Sequence, residues 1–338
     1  MLLLLLACTP RTSTTCTLLP CLEVEDSALG ESGGSDSEGE VPTDSGEAPD
    51  HVAQLVDKGL YYDSIQAAIA EAADGDVVLV QPGTHYERID FHGKGIRVTS
   101  AEGPATTVLD GMADGSVVEI RAMEPETAIL EGFTITNGEG TEAHGGGVFV
   151  ENADPVIQHN IIRGNSARIG GGVYLRHGQA TVRNNLILDN VASEGGGGLT
   201  CTNCKGLITY NTFAGNTAKL GPFAEIYFEP EGDFIANLVV LPEDVDMAVR
   251  FLEPMGYTFL FQYNLRSEED IPWVEEENPW IGDFPDDGTN GWGEPVFGED
   301  YRLEAGSAGI DEGPPEETDT DGSRADVGAY GGPWGDWP

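Results

Sequence analysis

Six cationic side chains lie within the 25 residues 159–183 in the middle of this sequence: His159, Arg163, Arg168, Arg176, His177 and Arg183. With carboxylates close by, such a face could serve calcium-assisted elimination on an acidic sugar, where Asp and Glu hold the ion and an Arg or Lys takes the proton. The neighbouring acids are Glu151, Asp154, Asp189 and Glu194. Glu151 plus 25 is Arg176, so these two are expected to stack as an ion pair. His159, Arg163, Arg176 and Arg183 remain as catalytic candidates. Asp319, Asp321 and Asp326, with Gly322 between them, start like a calcium loop, but Ser323 and Arg324 interrupt the ligand pattern; calcium is the one cofactor considered. His144-Gly145-Gly146-Gly147 has the look of an oxyanion-hole motif, yet the same glycine cluster recurs after Ile169 and Glu194 without a histidine, so it reads as a turn. Cys201-Thr202-Asn203-Cys204 has redox spacing but no following helix, and a local disulfide or two free thiols are expected in place of catalysis.

The elements that carry these residues repeat. Glycine clusters start at 145, 170 and 195, and their third glycines fall at 147, 172 and 197, a step of 25. Asn recurs at 160, 185, 211 and 237, and a second Asn at 165, 190 and 216. Between them sit short Val- and Ile-rich pairs. Three short strands and three turns fit in 25 residues, one coil of an all-β, single-stranded parallel β-helix. A leucine-rich repeat of the same period would need fixed Leu positions and a helical segment, and neither is present. Gly and Asn are expected at turns that need positive φ, with Asn160, Asn185, Asn211 and Asn237 hydrogen-bonded along a structural ladder. Ile65, Ala68, Ile69 and Ala72 predict a helix over 63–74, N-capped by Asp63 or Ser64 and ended by Gly75, placed to cover the first coil.

Composition limits the partners. Sixteen Lys and Arg face 59 Asp and Glu, a net charge of −43. Nucleic acid is excluded, because phosphate binding needs a basic face. The acid is concentrated: 23–50 holds ten acidic residues and no Lys or Arg, and 267–321 holds nineteen against Arg302 alone. The stretch 22–50 cannot bury enough apolar surface to offset chain entropy and reads as an acidic disordered linker. The five tryptophans lie at 273 and beyond, suited either to plug the end of a solenoid or to stack on sugar rings.

Several runs resemble known families. Residues 62–69 and 75–87, with Gly93-Lys94-Gly95-Ile96 and Asp110-Gly111, resemble the opening of pectin-lyase-like right-handed β-helix proteins. The run from Glu294 to Gly332 resembles the closing segment of the same group, shared with choice-of-anchor Q surface proteins. The polygalacturonase motifs of that group, clustered aspartates with Gly-His-Gly and Arg-Ile-Lys, are absent. Leu5-Leu6-Ala7-Cys8 resembles a bacterial lipobox, which implies lipidation at Cys8. The basic region that should precede it is missing, and the true start is read as lying upstream. Thr9 in place of Asp implies the outer membrane or cell surface, with secretion as the alternative. Export allows disulfides, with Cys16–Cys21 and Cys201–Cys204 as the favoured local pairs.

The resulting expectation is a signal or anchor remnant over 1–21, a linker over 22–50 and a β-helix domain over 51–338. Its coils run from about 76 to 265 and an irregular acidic cap from 266 to 338. Three functions remain open: a monomeric, membrane-anchored surface protein that binds polysaccharide or another envelope component without catalysis, a divergent polysaccharide lyase, hydrolase or epimerase, and a structural spacer.

Overall fold

The computed structural model describes residues 51–227, 232–242, 245–252, 260–273 and 287–337. Cys8, Cys16, Cys21, the acidic linker and Trp280 lie outside them. The compact unit spans 49–338 and is a right-handed parallel β-helix of about seven turns. No helix among the described residues is long and apolar enough to cross a membrane.

Alternation of inward apolar and outward polar residues builds the coils. A central coil runs through strands Val156–Gln158, Ile161–Arg163, Ser166–Ile169 and Val173–Gly178. The same four positions in successive coils stack as parallel strands, giving four sheets of ten, nine, four and seven strands among the described residues, here called sheets 1 to 4 in the order the chain visits them within a coil. Sheet 3, the four-stranded one, was not expected, because its strands carry polar and charged residues among a few apolar ones and merge in sequence with the glycine clusters. Inward side chains stack in columns: Leu130, Ile157, Val182, Ile208, Phe234 and Phe261 in sheet 1, and Leu109, Ile135, Ile162, Ile187, Phe213 and Val239 in sheet 2, all buried. Trp273 continues the core beyond Phe261, ring centroids 5.1 Å apart.

The asparagine ladder holds the corner between sheets 1 and 2. Asn160 donates its backbone N–H and its Nδ2 to Asn185 Oδ1, at 3.0 and 3.1 Å, and its Nδ2 also reaches Leu130 O and Gln158 O. The pattern repeats through Asn185, Asn211 and Asn237, then continues to Asn264 and Asn290 at steps of 27 and 26. A second ladder joins Asn165, Asn190 and Asn216 at the next corner. These asparagines do not occupy positive φ, contrary to expectation. The left-handed residue is the one before each: His159, Asn184, Tyr210, Ala236 and Tyr263 on the first ladder, Gly164, Asp189 and Gly215 on the second. The ladder asparagines are selected by buried hydrogen bonding, not by backbone freedom.

The glycine clusters are fixed by backbone approach between coils. A Cβ on Gly147 would stand 2.6 Å from Gly172 O, and one on Gly172 about 2.5 Å from Gly198 O. The structural partner of Gly172 is therefore Gly198, with Val173 paired to Leu199, so the second step is 26 and not 25. The added residue falls between Ala192, paired with Ala167, and Gly195, paired with Ile169, inside a sheet 3 strand.

The N-terminal end is closed by more than a helix. The helix α1, Ile65–Glu71, is shorter than expected and ends at Ala72, which turns to an extended conformation; Gly75 lies in the following turn. Ser64 caps it through its hydroxyl, and Glu87 accepts from Ser64 Oγ and from the N–H groups of Ile65 and Gln66. Lys94 Nζ donates to Ile69 O and Ala70 O at the other end. Opposite charges at the two helix ends suit the backbone dipole. Strand Ala53–Leu55 extends sheet 1 antiparallel to its first parallel strand, and Leu60–Tyr62 pairs antiparallel with Ala53–Leu55 in turn, which ends the parallel stack.

The ladder makes a stability prediction. Asn185→Ala strands the buried N–H of Asn160 and two buried carbonyls, and is expected to cost about 3 kcal/mol. Arg163→Ala, on an exposed pair, should stay within about 0.5 kcal/mol. Urea unfolding of both variants checks the difference; equal midpoints would contradict it.

Candidate functional site

The four catalytic candidates do not converge. Arg176 in sheet 4 pairs with Glu151 at 2.9 Å, in register across adjacent coils. Arg163 ends a sheet 2 strand, 3.7 Å from Asp189. His159 and Arg183 are the two that come near each other, at the corner of sheets 1 and 2, and both are engaged by the C-terminal segment. Arg168 pairs with Glu194 on the exposed face of sheet 3. Cys201 and Cys204 are joined in a buried disulfide, with Cys201 in the sheet 4 core column between Leu175 and Ile226.

The C-terminal segment is not the end plug expected over 266–338. Residues 296–337 fold back as a strap over the outer face of sheet 2. That face is apolar: Leu186, Leu188, Ala214 and Leu238 are buried outside the coil, against Ala325, Val327, Ala329 and Trp337. The run Leu186-Ile187-Leu188, buried at all three residues, was the sequence signal, since one-sided strands alternate. The strap climbs the left-handed column towards the N-terminal coils. Gly328 N–H bonds Ala236 O, Asn184 Nδ2 reaches Ala329 O and Gly331 O, and His159 Nε2 reaches Trp334 O at 3.0 Å. Gly332, at φ +72°, rests on the Tyr210 ring, where a Cβ would lie 2.6 Å from it. Arg183 lies over Trp334, 4.3 Å to the ring centroid. Trp337 is sandwiched between His159 and Tyr330, and its indole N–H donates to Ala329 O. Of the tryptophans, Trp273 plugs the core, Trp337 is buried, and Trp292 and Trp334 are exposed.

Where the strap ends, a cleft of about 370 Å³ opens between Trp337 and the loop 99–104. Its floor is Glu131, Gly132 and His159, and its other wall carries Thr99, Ser100 and Glu102. Glu131 is the centre of a polar row across the outside of sheet 1. Its Oε1 accepts from Arg97 Nε and Nη2 and from Thr99 Oγ1; its Oε2 accepts from Gln158 Nε2 at 2.6 Å. Gln158 Oε1 accepts in turn from Arg183 Nε at 2.8 Å. Burial alone would raise the Glu131 carboxyl, but the bonds from Gln158 and Arg97 and the Arg97 charge outweigh it and hold it below the usual carboxylate range. Glu131 is an anion at neutral pH. Burial also lowers His159; the bond to Trp334 O and the Glu131 charge oppose this without reversing it. A carbonyl can only accept, so Nε2 carries the hydrogen and Nδ1 is left as an acceptor. Glu131 and Gln158 escaped the sequence reading, though both were traceable. Gln158 and Arg183 each lie two residues before a ladder asparagine, and Glu131 lies two before Phe133, whose N–H bonds Asn160 Oδ1.

The three aspartates of the calcium-like run accept hydrogen bonds within the strap. Asp319 accepts from the N–H groups of Gly332 and Asp326, at 2.6 and 3.0 Å. Asp326 accepts from Asp311 N–H, and Asp321 from the N–H and hydroxyl of Ser323. Among the described residues no three His, Cys, Asp or Glu come together to hold a metal. Burial, then the charge of Asp326, pushes Asp319 up to about 6; the two N–H bonds pull the other way. Burial likewise raises Asp326, and the Ser323 bonds lower Asp321.

Residues 88–230 match a family model described as right handed beta helix region. No curated protein matches the chain. Among solved structures, a pectin methylesterase from Aspergillus niger is similar over 70% of this chain and 93% of its own, at 11% identity and a TM-score of 0.30. A superposition of that quality says nothing about shared chemistry.

Asp319 gives the strap a pH dependence. Its carboxyl sits higher in the folded protein than in the unfolded chain, so its contribution is complete below the unfolded value near 3.8 and is lost as pH rises through about 6. The strap should therefore seat more firmly in acid. Intrinsic tryptophan fluorescence should titrate with a midpoint near 6, and Asp319→Asn should remove that step. A step that persists in the variant would contradict the assignment.

Proposed function

We propose that the protein is a surface-displayed glycan-binding β-helix, and that it holds its ligand in the cleft between the loop 99–104 and the end of the strap without altering it. The observation that carries this reading is the cleft itself. It has the size of a small-ligand site, and it sets the Thr99 and Ser100 hydroxyls, the Glu131 carboxylate and the His159 edge beside an indole. Sugar recognition calls for such groups, fixed in place and facing hydroxyls. Fixation here is strong, because Glu131 is held by three side chains and His159 by the strap.

Binding without turnover is supported by the state of the candidate groups. Glu131 is ionised and saturated on one oxygen, a poor general acid. Arg163 and Arg176 lie on other sheets, each beside a carboxylate. Trp337 is covered on both faces, so it shapes the wall and offers no stacking platform; Trp334 keeps an exposed edge.

Display on a bacterial surface completes the proposal. Cys8 would carry the lipid and the acidic stretch 22–50 would act as spacer, as the lipobox resemblance implies.

Two measurements test these statements. Calorimetry against a panel of oligosaccharides should find a ligand whose binding is abolished by Ala101→Trp, a plug at the exposed mouth, with the melting temperature unchanged. Reducing-end and unsaturated-product assays should stay at background with or without calcium; product formation lost in His159→Ala would overturn the non-catalytic reading. Separately, labelled palmitate should be incorporated in a bacterial host and lost in Cys8→Ala; equal labelling would refute the anchor.

A further inference from the structure

We infer that the glycan selected by this cleft bears free amines and not carboxylates: a chain of de-N-acetylated amino sugars, read by Glu131 and Glu102. This rests on the glycan-binding reading above and goes beyond it to the ligand's chemical class.

The argument is a donor and acceptor inventory of the lining. None of the ten lining residues is Lys, Arg, Asn or Gln. The donors that are present point elsewhere. Trp337 Nε1 donates to Ala329 O, His159 Nε2 to Trp334 O, and Thr99 Oγ1 to Glu131. Ser100 Oγ accepts from Gly103 N–H and keeps its own hydrogen for use. Acceptors are plentiful by contrast. Glu131 Oε2 has one partner, Gln158, where a carboxylate oxygen takes about two. His159 Nδ1 and the exposed Glu102 carboxylate add to it. A uronate placed here would lose its water shell and gain almost no donors, which is costly for an anion. An ammonium group brings three donors and no acceptor.

Charge argues the same way at two scales. Near the cleft, Arg97 offsets Glu131, and Arg183 is occupied by Gln158 and the Trp334 face, so Glu102 is the charge on the wall that no cation pairs among the described residues. At long range the net charge of −43 repels polyanions and draws in polycations. The second effect alone would not select this cleft, so the test must separate them.

The full chain is titrated with three oligomers of equal length: fully deacetylated chito-oligosaccharide, its N-acetylated counterpart and oligogalacturonate. The deacetylated oligomer should bind at least about tenfold more tightly than the acetylated one, with galacturonate undetected, as expected for a hydrogen bond to a charged group. Glu102→Gln, on the exposed loop, should cut that preference about threefold or more without changing the melting temperature. Glu131→Gln should cut it further; as this variant frees Arg97 and could perturb the coil, Glu102→Gln and Ala101→Trp carry the decision. Equal or tighter binding of the acetylated oligomer or of galacturonate, blocked by Ala101→Trp, overturns the amine specificity and leaves glycan binding standing. Binding of the deacetylated oligomer that both Glu102→Gln and Ala101→Trp leave intact is general charge attraction and overturns the inference. No binding to any of the three, or to a broader neutral panel, overturns the glycan-binding reading itself.

Discussion

A side-chain amide oxygen receiving the backbone N–H of the coil before it is the contact from which this structure follows. Each ladder asparagine turns a corner of the solenoid and also hands its Oδ1 to the neighbouring coil. Parallel strands leave their corners with backbone groups that no sheet can pair, and a buried unpaired group is expensive. The asparagine satisfies them from within. Its shape and its two-ended polarity are both needed, which is why the position varies so little along the chain. Once the corners are fixed, the apolar residues between them must stack, and the core columns result.

The same corner positions the surface. Placing the left-handed residue just before each asparagine turns a set of side chains outward in a line: His159, Asn184, Tyr210 and Ala236. The strap docks along that line, using Asn184 as a clamp and Tyr210 as a seat. Its far end sets Trp337 against His159, and the cleft is what remains between that end and the loop 99–104. The site is therefore a product of stacking register and of the strap's length, and no local motif produces it.

This explains what could be read in the sequence and what could not. Val and Ile at a period near 25, with Asn160, Asn185 and Asn211 in step, made the coil and its columns legible. So did the Glu151–Arg176 pair, because register alone places it. The exact step failed at Gly197, where a 26-residue coil hides inside a run of four glycines. It failed again after Asn237, where a step of 27 concealed Asn264. The strap was missed because its hydrogen-bond partners on the coils are 92 residues or more away in sequence, and its irregular, acidic composition gives no periodicity to follow. The aspartates at 319–326 resembled a metal loop for a physical reason: carboxylates that accept turn N–H groups need the same Gly-rich geometry as carboxylates that hold an ion. The cleft's carboxylate, Glu131, carries no motif at all. It became visible once the ladder gave its register.

The central claim is that the asparagine corners are the rigid frame of the molecule. Native-state amide hydrogen exchange tests it most directly. The N–H groups of Asn160, Asn185, Asn211 and Asn237 should exchange among the slowest in the protein, together, and through global unfolding. Exchange of these amides at the rate of the exposed Glu102, while the flanking strands stay protected, would contradict the account.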